Sequence, residues 1–343
     1  MKQVTAVAAS RYRLHMSESR LPLLTVTELR VVLPTARGPA AALRGVSFAL
    51  GAGEKLGLIG ESGCGKSLTA LALMGLLPEG ALVEGSIRLA GQELVGLPED
   101  AMARLRGDRL AMIFQEPMTA LNPLHTIGAQ VAEPLRLHRG LDRAAARAEA
   151  LRLLDRVKLP EAAKRLDAHP HQLSGGQRQR VMIAMALACG PELLIADEPT
   201  TALDVTLQHE VLMLIDELVQ GSGMALLLIS HDLGVMARHV QRVAVMYGGT
   251  VVESGPTTAV FEHLAHPYTQ GLYAARPRLG ATRGTRLATI PGRVPELADL
   301  PAGCPFADRC GRVVDDCRRA MPPEVAVGIG HMARCLRVAV AVP

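Results

Sequence analysis

The 343-residue chain is long enough for one large domain plus a smaller one, and its 49% hydrophobic and 20% charged content reads as globular and soluble. A formal net charge of +4 argues against a nucleic-acid binder and against an acidic disordered tail; 2% aromatics with no Trp argue against base-stacking surfaces of the single-strand-binding kind. No apolar run reaches the ~20 residues that a bilayer requires. The longest candidate, VMIAMALACGPELLIA, is broken by Gly190, Pro191 and Glu192, so the chain is expected to dock on a membrane partner rather than to span the bilayer.

At the N-terminus Lys2, Arg11, Arg13 and Arg20 surround VTAVAA, a stretch too short for a signal-peptide core. Residues 1–22 are expected to be a disordered extension, with Met16 as an alternative start. Residues 24–59 alternate or run apolar between turn signals (LTVTELRVVL, ALRGVSFAL, KLGLIG) and predict strands. A helix is expected over Lys66–Leu77, stopped by Pro78. SIRLAGQEL predicts a hairpin turning at Ala90-Gly91. From about Gln115 to Leu173 the texture becomes helical; Ala148, Leu151, Leu154 and Val157 recur every three residues among charges and predict an amphipathic helix. LLIA (193–196) and MALLLIS (224–230) are continuous apolar runs, as in a parallel sheet covered on both faces, with Val205–Leu218 as the crossover helix. A further helix is expected near His266–Ala275. From Pro277 onward Pro, Gly and Arg are frequent, which predicts a small loop-rich module.

The chemistry begins at GESGCGKS (60–67), which fits G-x-x-x-x-G-K-[ST] between a strand and a helix. Gly60, Gly63 and Gly65 let the backbone bend so that amides of the Glu61, Ser62 and Cys64 region point at phosphate oxygens, and the helix adds its positive end. Lys66 reaches the outer phosphates and Ser67 is a Mg²⁺ ligand. In LLIADEPT (193–200) the Asp-Glu pair ends an apolar strand, where ligands sit in open α/β folds. Asp197 suits Mg²⁺ and Glu198 suits the attacking water. In LSGGQRQRV (173–181), Ser174, Gly175, Gly176 and Gln177 open a helix and form a second anion cradle.

These three strings together resemble the ATP-binding cassette (ABC) ATPases. The resemblance implies an α/β fold, a P-loop NTPase cassette with an inserted helical subdomain, and ATP with Mg²⁺ as the nucleotide and metal. It implies a head-to-tail pair with a second ABC ATPase subunit, a paralogue or a second copy, in which Ser174–Gln177 of one subunit cap the ATP held at residues 60–67 of the other. It further implies that Gln115 is the Q-loop residue, also near Mg²⁺ and the attacking water, that Asp204 crosses the dimer interface, and that His231 contacts the γ-phosphate. The family's adenine-stacking aromatic is matched by Leu33, a departure that leaves adenine packing weaker or supplied elsewhere.

MIFQEPMTALNPLHTIGAQVAEPL (112–135), HPYTQGL (266–272), IPGRVPEL (290–297) and GCPFADRC (303–310) resemble one branch, the ATP-binding subunits of oligopeptide and dipeptide importers. That branch implies an ATPase domain over 23–275, a helical subdomain over about 115–173 and a C-terminal module over 276–343. It implies two transmembrane permease subunits, indirect dependence on an extracytoplasmic solute-binding protein, no nucleic acid, and a peripheral location on the cytoplasmic face of the inner membrane. Nickel importers share much of the pattern and are the alternative; a non-transport ABC ATPase lacks support, because 68–172 has no sustained heptads. The cysteines Cys304, Cys310, Cys317 and Cys335 suit zinc or an iron–sulfur cluster if reduced, although no CxxC pair favours zinc. The branch implies a [4Fe–4S] cluster there, with buried free thiols as the alternative. Arg309, Arg312, Arg318 and Arg319 beside them read as a solvated face.

Overall fold

A computed structural model describes residues 21–116, 120–201, 203–276 and 288–338. Nearly all of the expected N-terminal extension, Met16 included, lies outside the described residues. The chain forms two compact units: one takes the chain up to Gly51, Leu56–Val95 and Ser230 onward, the other Ala52–Lys55 and Gly96–Ile229.

The first unit begins with β1 (Leu24–Thr35), β2 (Gly38–Leu50), β3 (Lys55–Ile59), α1 (Lys66–Met74), β4 (Leu82–Leu89) and β5 (Gln92–Glu93). Strands β2-β1-β4-β5 form an antiparallel sheet in that order. In β1 the buried residues are Leu24, Val26, Leu29 and Val31. The period of two slips once, at a bulge where Glu28 turns to φ 48°, and then resumes on the same face. The hairpin turns at Ala90 (φ 47°) and Gly91 (φ 84°), the two positive φ values of a type I′ turn. Helix α1 ends sooner than expected. Gly75 is left-handed, its N–H donates to Ala72 O, and Leu76 N–H donates to Leu71 O. That paired closure satisfies the last carbonyls before Pro78 is reached.

The second unit carries α2 (Glu99–Leu105), β6 (Leu110–Ile113), α3 (Ile127–Arg139), α4 (Arg143–Arg156), α5 (Ala162–Arg165), α6 (Gly175–Leu187), β7 (Leu193–Asp197), α7 (Val205–Ser222) and β8 (Ala225–Ser230). Strands β6, β7 and β8 are parallel neighbours, and every residue of each is buried. Helix α4 exists where it was expected, but its core stripe is Ala146, Ala150, Leu153 and Leu154, with Ala148 exposed. A repeat of three drifts about 60° per step around a helix of 3.6 residues per turn, so it leaves the buried face within a few steps.

The chain then returns to the first unit with α8 (Leu233–His239), β9 (Arg242–Tyr247), β10 (Thr250–Pro256), α9 (Thr257–Glu262), α10 (Pro267–Ala274), α11 (Asp315–Arg319), β11 (Val325–Gly328) and β12 (His331–Ala333). Here the order is β11-β12-β10-β9-β3, with β3 and β9 parallel and the others antiparallel. The C-terminal cysteine region thus ends in two strands that extend the sheet of the first unit.

Candidate functional site

Strand β3 is wholly buried and delivers the chain to Gly60 at the sheet edge. A side chain at Gly60 would meet the Met246 carbonyl oxygen at 2.4 Å, so only glycine passes there. The loop closes at Gly65, φ 104°, the N-cap of α1. Between them the buried Lys66 ammonium donates to the carbonyls of Gly60 (2.8 Å) and Glu61 (3.1 Å). Ser67 is the second residue of α1, and Cys64 is buried, which pushes its thiol pKa up. Ser62 and Gly63 line a cavity of about 530 Å³ shared with the β1–β2 turn (Thr35, Ala36, Arg37) and with Val294–Ala298. Leu33 is not among its lining residues; the turn two residues further on is. A cation inside a helix-terminal loop, opening on a cavity of this size, fits a nucleoside triphosphate.

In the second unit β7 ends at Asp197, which is 4% exposed. Glu198 follows with φ 44°, a conformation costly for a residue with a Cβ, and its N–H donates to Ile229 O on β8. The carboxylate oxygen Oε2 accepts from Gln115 Nε2 (3.2 Å) and Thr201 Oγ1 (3.0 Å). The structure therefore brings Gln115 and Glu198 together from 83 residues apart. Thr201 was missed by sequence reasoning, though it lies in the same EPTT string. Ser174 caps α6: its side chain accepts from Gln177 N–H, while Gln177 Oε1 accepts from Ser174 N–H. A Cβ on Gly176 would meet Leu207 of α7 at 2.5 Å, which explains the small residue there, and Gly175 is exposed. Asp204 caps α7 through Leu207 N–H (2.9 Å). Back in the first unit His231 is exposed immediately after β8, and Asp232 caps α8.

Three of the chain's eight Phe and Tyr residues gather behind the phosphate loop: Tyr247, Tyr268 and Phe306, with ring centroids 4.6–5.3 Å apart. Tyr268 Oη accepts from the Glu61 N–H (2.7 Å), and the Glu61 carboxylate accepts two bonds from Arg309 (2.7 and 3.1 Å). The expectation of a solvated arginine face fails for Arg309, whose side chain is 5% exposed, and holds for Arg312, Arg318 and Arg319. The position of HPY at the start of α10 was the available signal for Tyr268. Nothing local marked Arg309.

Comparison with known proteins bears on what these groups do. Residues 43–201 match the ABC transporter family, and residues 252–317 match the family "Oligopeptide/dipeptide transporter, C-terminal region". The chain is 51% identical over 331 residues to a "putative peptide import ATP-binding protein" of Brucella melitensis, covering 93% of this chain and 98% of that one. It is 49% identical over 315 residues to the "oligopeptide transport ATP-binding protein OppD" of Salmonella typhimurium, covering 92% and 93%. The chain belongs to the ABC-type oligopeptide/dipeptide transporter ATP-binding subunits.

Among solved structures, this transporter subunit is similar to the dimeric post-hydrolysis ATP-binding cassette MJ0796 bound to ADP and phosphate (28% identity, TM-score 0.62, covering 68% of this chain and 98% of that chain). It is also similar to cbiO1 of Clostridium perfringens (25% identity, TM-score 0.60, covering 71% and 92%). The fold is the P-loop ABC cassette with its helical subdomain, and the subunit is an ATP-hydrolysing enzyme. No helix among the described residues is long and apolar enough to cross a membrane.

The expected [4Fe–4S] cluster is overturned, and with it an iron–sulfur role for the subunit. Among the described residues no group of three or more His, Cys, Asp or Glu side chains is placed to hold a metal ion. Cys304, Cys310, Cys317 and Cys335 do line one recess, but its volume is about 10 Å³, room for roughly one water. Burial, aided by the neighbouring thiols, pushes Cys304 up to about 11 and also raises Cys335. All four are free cysteines.

Proposed function

We propose that this ATPase is the motor of a di- and oligopeptide importer, working at the cytoplasmic face of the membrane beside two permease subunits served by a solute-binding protein. The observation that carries the reading is the match over residues 252–317, because most of that region lies outside what an ABC ATPase needs for hydrolysis.

Lys66 and the loop amides after Glu61 would hold the phosphate oxygens, the Glu61 N–H being taken by Tyr268 Oη; Ser67 would be a Mg²⁺ ligand, and His231 would meet the γ-phosphate. Asp197 and Gln115 would hold Mg²⁺ directly or through water, and Glu198 would orient the attacking water. Mg²⁺ held there would neutralise charge developing on the triphosphate. The Gln115 and Thr201 hydrogen bonds to Glu198 support this role, since they aim a carboxylate that a strained backbone already presents. Ser174–Gln177 offer an anion cradle to the nucleotide of a second ATPase subunit, with Asp204 beside them at the shared interface. The description of the MJ0796 cassette as dimeric supports the pairing.

The test is reconstitution in proteoliposomes with the companion permease and solute-binding subunits. ATP-dependent uptake of labelled di- to pentapeptides is expected. Uptake of nickel or a sugar with no peptide uptake transfers the subunit to another branch of importers.

A further inference from the structure

Arg309 has five N–H donors, and all five are used. Nε donates to Pro291 O (2.8 Å); Nη1 donates to Glu61 Oε2 (2.7 Å) and Tyr247 Oη (3.2 Å); Nη2 donates to Glu61 Oε1 (3.1 Å) and Ile290 O (3.3 Å). One guanidinium therefore binds the second residue of the phosphate loop and two carbonyls of a remote segment. Glu61 is itself tied into the loop: its carbonyl accepts from Lys66 Nζ and its N–H reaches Tyr268. The segment that Arg309 holds at Ile290–Pro291 runs on to Val294–Ala298, one wall of the 530 Å³ cavity that Ser62 and Gly63 enter. The far end of that wall is fixed as well, by Arg37 of the β1–β2 turn on Asp299 (2.7 and 3.0 Å).

We propose that Arg309 is a positioning residue for the nucleotide: it sets the spacing between the phosphate loop and the cavity wall, so that the C-terminal segment governs ATP affinity. The inference rests on the reading of residues 60–67 as the triphosphate site. It accounts for a planar five-donor side chain at this position, because lysine offers three donors and no fork. It also gives the adenosine moiety a wall in a chain whose expected stacking position is Leu33. Arg309 touches no reacting atom and acts through Glu61.

The experiment uses the full-length chain with Arg309→Gln, Arg309→Lys, Glu61→Gln and the double variant Arg309→Gln/Glu61→Gln. Steady-state phosphate release gives KM and kcat for ATP, and trinitrophenyl-ATP fluorescence gives Kd. Arg309→Gln and Glu61→Gln are each expected to raise KM and Kd about tenfold, the size of one lost charge-assisted pair. In the Arg309 variants kcat stays within about twofold, and lysine restores only part of the affinity. The double variant is expected to be no worse than the worse single, because both break one coupled contact. Unchanged KM and Kd, a fall in kcat alone, or multiplied losses in the double variant overturn the proposal. Should the Arg309 variants fail to fold, Glu61→Gln decides alone, since it keeps size at a partly exposed position. A wild-type chain that binds no trinitrophenyl-ATP refutes the triphosphate reading itself, which separates the two failures.

Discussion

Glu198 combines two unfavourable choices, a left-handed backbone at a residue with a Cβ and a carboxylate beside the buried Asp197. Strain of about 1–3 kcal/mol is tolerated where a function needs the geometry. The carboxylate is aimed by Gln115 and Thr201, so Glu198→Gln is expected to keep the fold and lower turnover by about 10²–10⁴-fold, the usual scale for a general base. Phosphate release measures it, and gel filtration with ATP should show paired subunits accumulating. Undiminished release would remove Glu198 from that role. At this scale the candidate residues were legible wherever they sit in a contiguous string. A glycine loop, an Asp-Glu strand end and a capped Ser-Gly-Gly helix start carry their chemistry within a few residues. Arg309 was not legible, because its carboxylate partner is 248 positions away and arginines near a cysteine cluster look alike in sequence. The cysteines misled for the converse reason: spacing along the chain does not encode placement, and among the described residues no three such groups are placed to hold a metal ion.

Helix α10 shows how an element acquires a pH dependence. Its N-cap, His266, accepts from Tyr268 N–H through Nδ1 (3.0 Å) while its own N–H donates to the buried Glu253 carboxylate. Burial lowers the imidazole pKa from 6.5 to about 4, against the pull of Glu253. The unfolded chain takes up this proton near 6.5 and the folded chain only near 4, so the contribution is whole above 6.5 and is lost as pH falls toward 4, by about 3 kcal/mol. Urea midpoints at pH 7.5 and 4.5 test this. His266→Asn keeps a capping side chain and should flatten the slope in that window; an identical slope assigns the effect to other groups. Elements were readable where one period ran uninterrupted, as in β3, β7 and β8. They were misread where the eye chose the wrong period, as in α4, or where a glycine closure pre-empted a proline, as in α1.

For the molecule as a whole, ligand linkage offers a direct check on the loop. At 100 times its Kd, MgATP should add about 2.7 kcal/mol to the unit that holds it. A rise in Tm with MgATP is expected for the wild type and should vanish in Lys66→Ala. A shift retained in that variant would place the nucleotide elsewhere. The parallel strands and the two families of motifs were legible from sequence because apolar runs and glycine patterns are local. The union of the chain's two distant stretches in the first unit was not, since Val325–Ala333 is too short and too mixed to announce itself as strand.

That union has a practical consequence at Glu253. Its carboxylate is buried on β10 and accepts from Ala265 N–H and His266 N–H, while His331 Nε2 lies at 2.8 Å across the sheet. Anyone trimming the protein to a minimal cassette at residue 276 keeps this carboxyl and discards its imidazole companion together with the strand that pairs with β10. The excised fragment would lose that hydrogen bond, worth about 1 kcal/mol, and expose the edge of β10 that the intact polypeptide keeps paired.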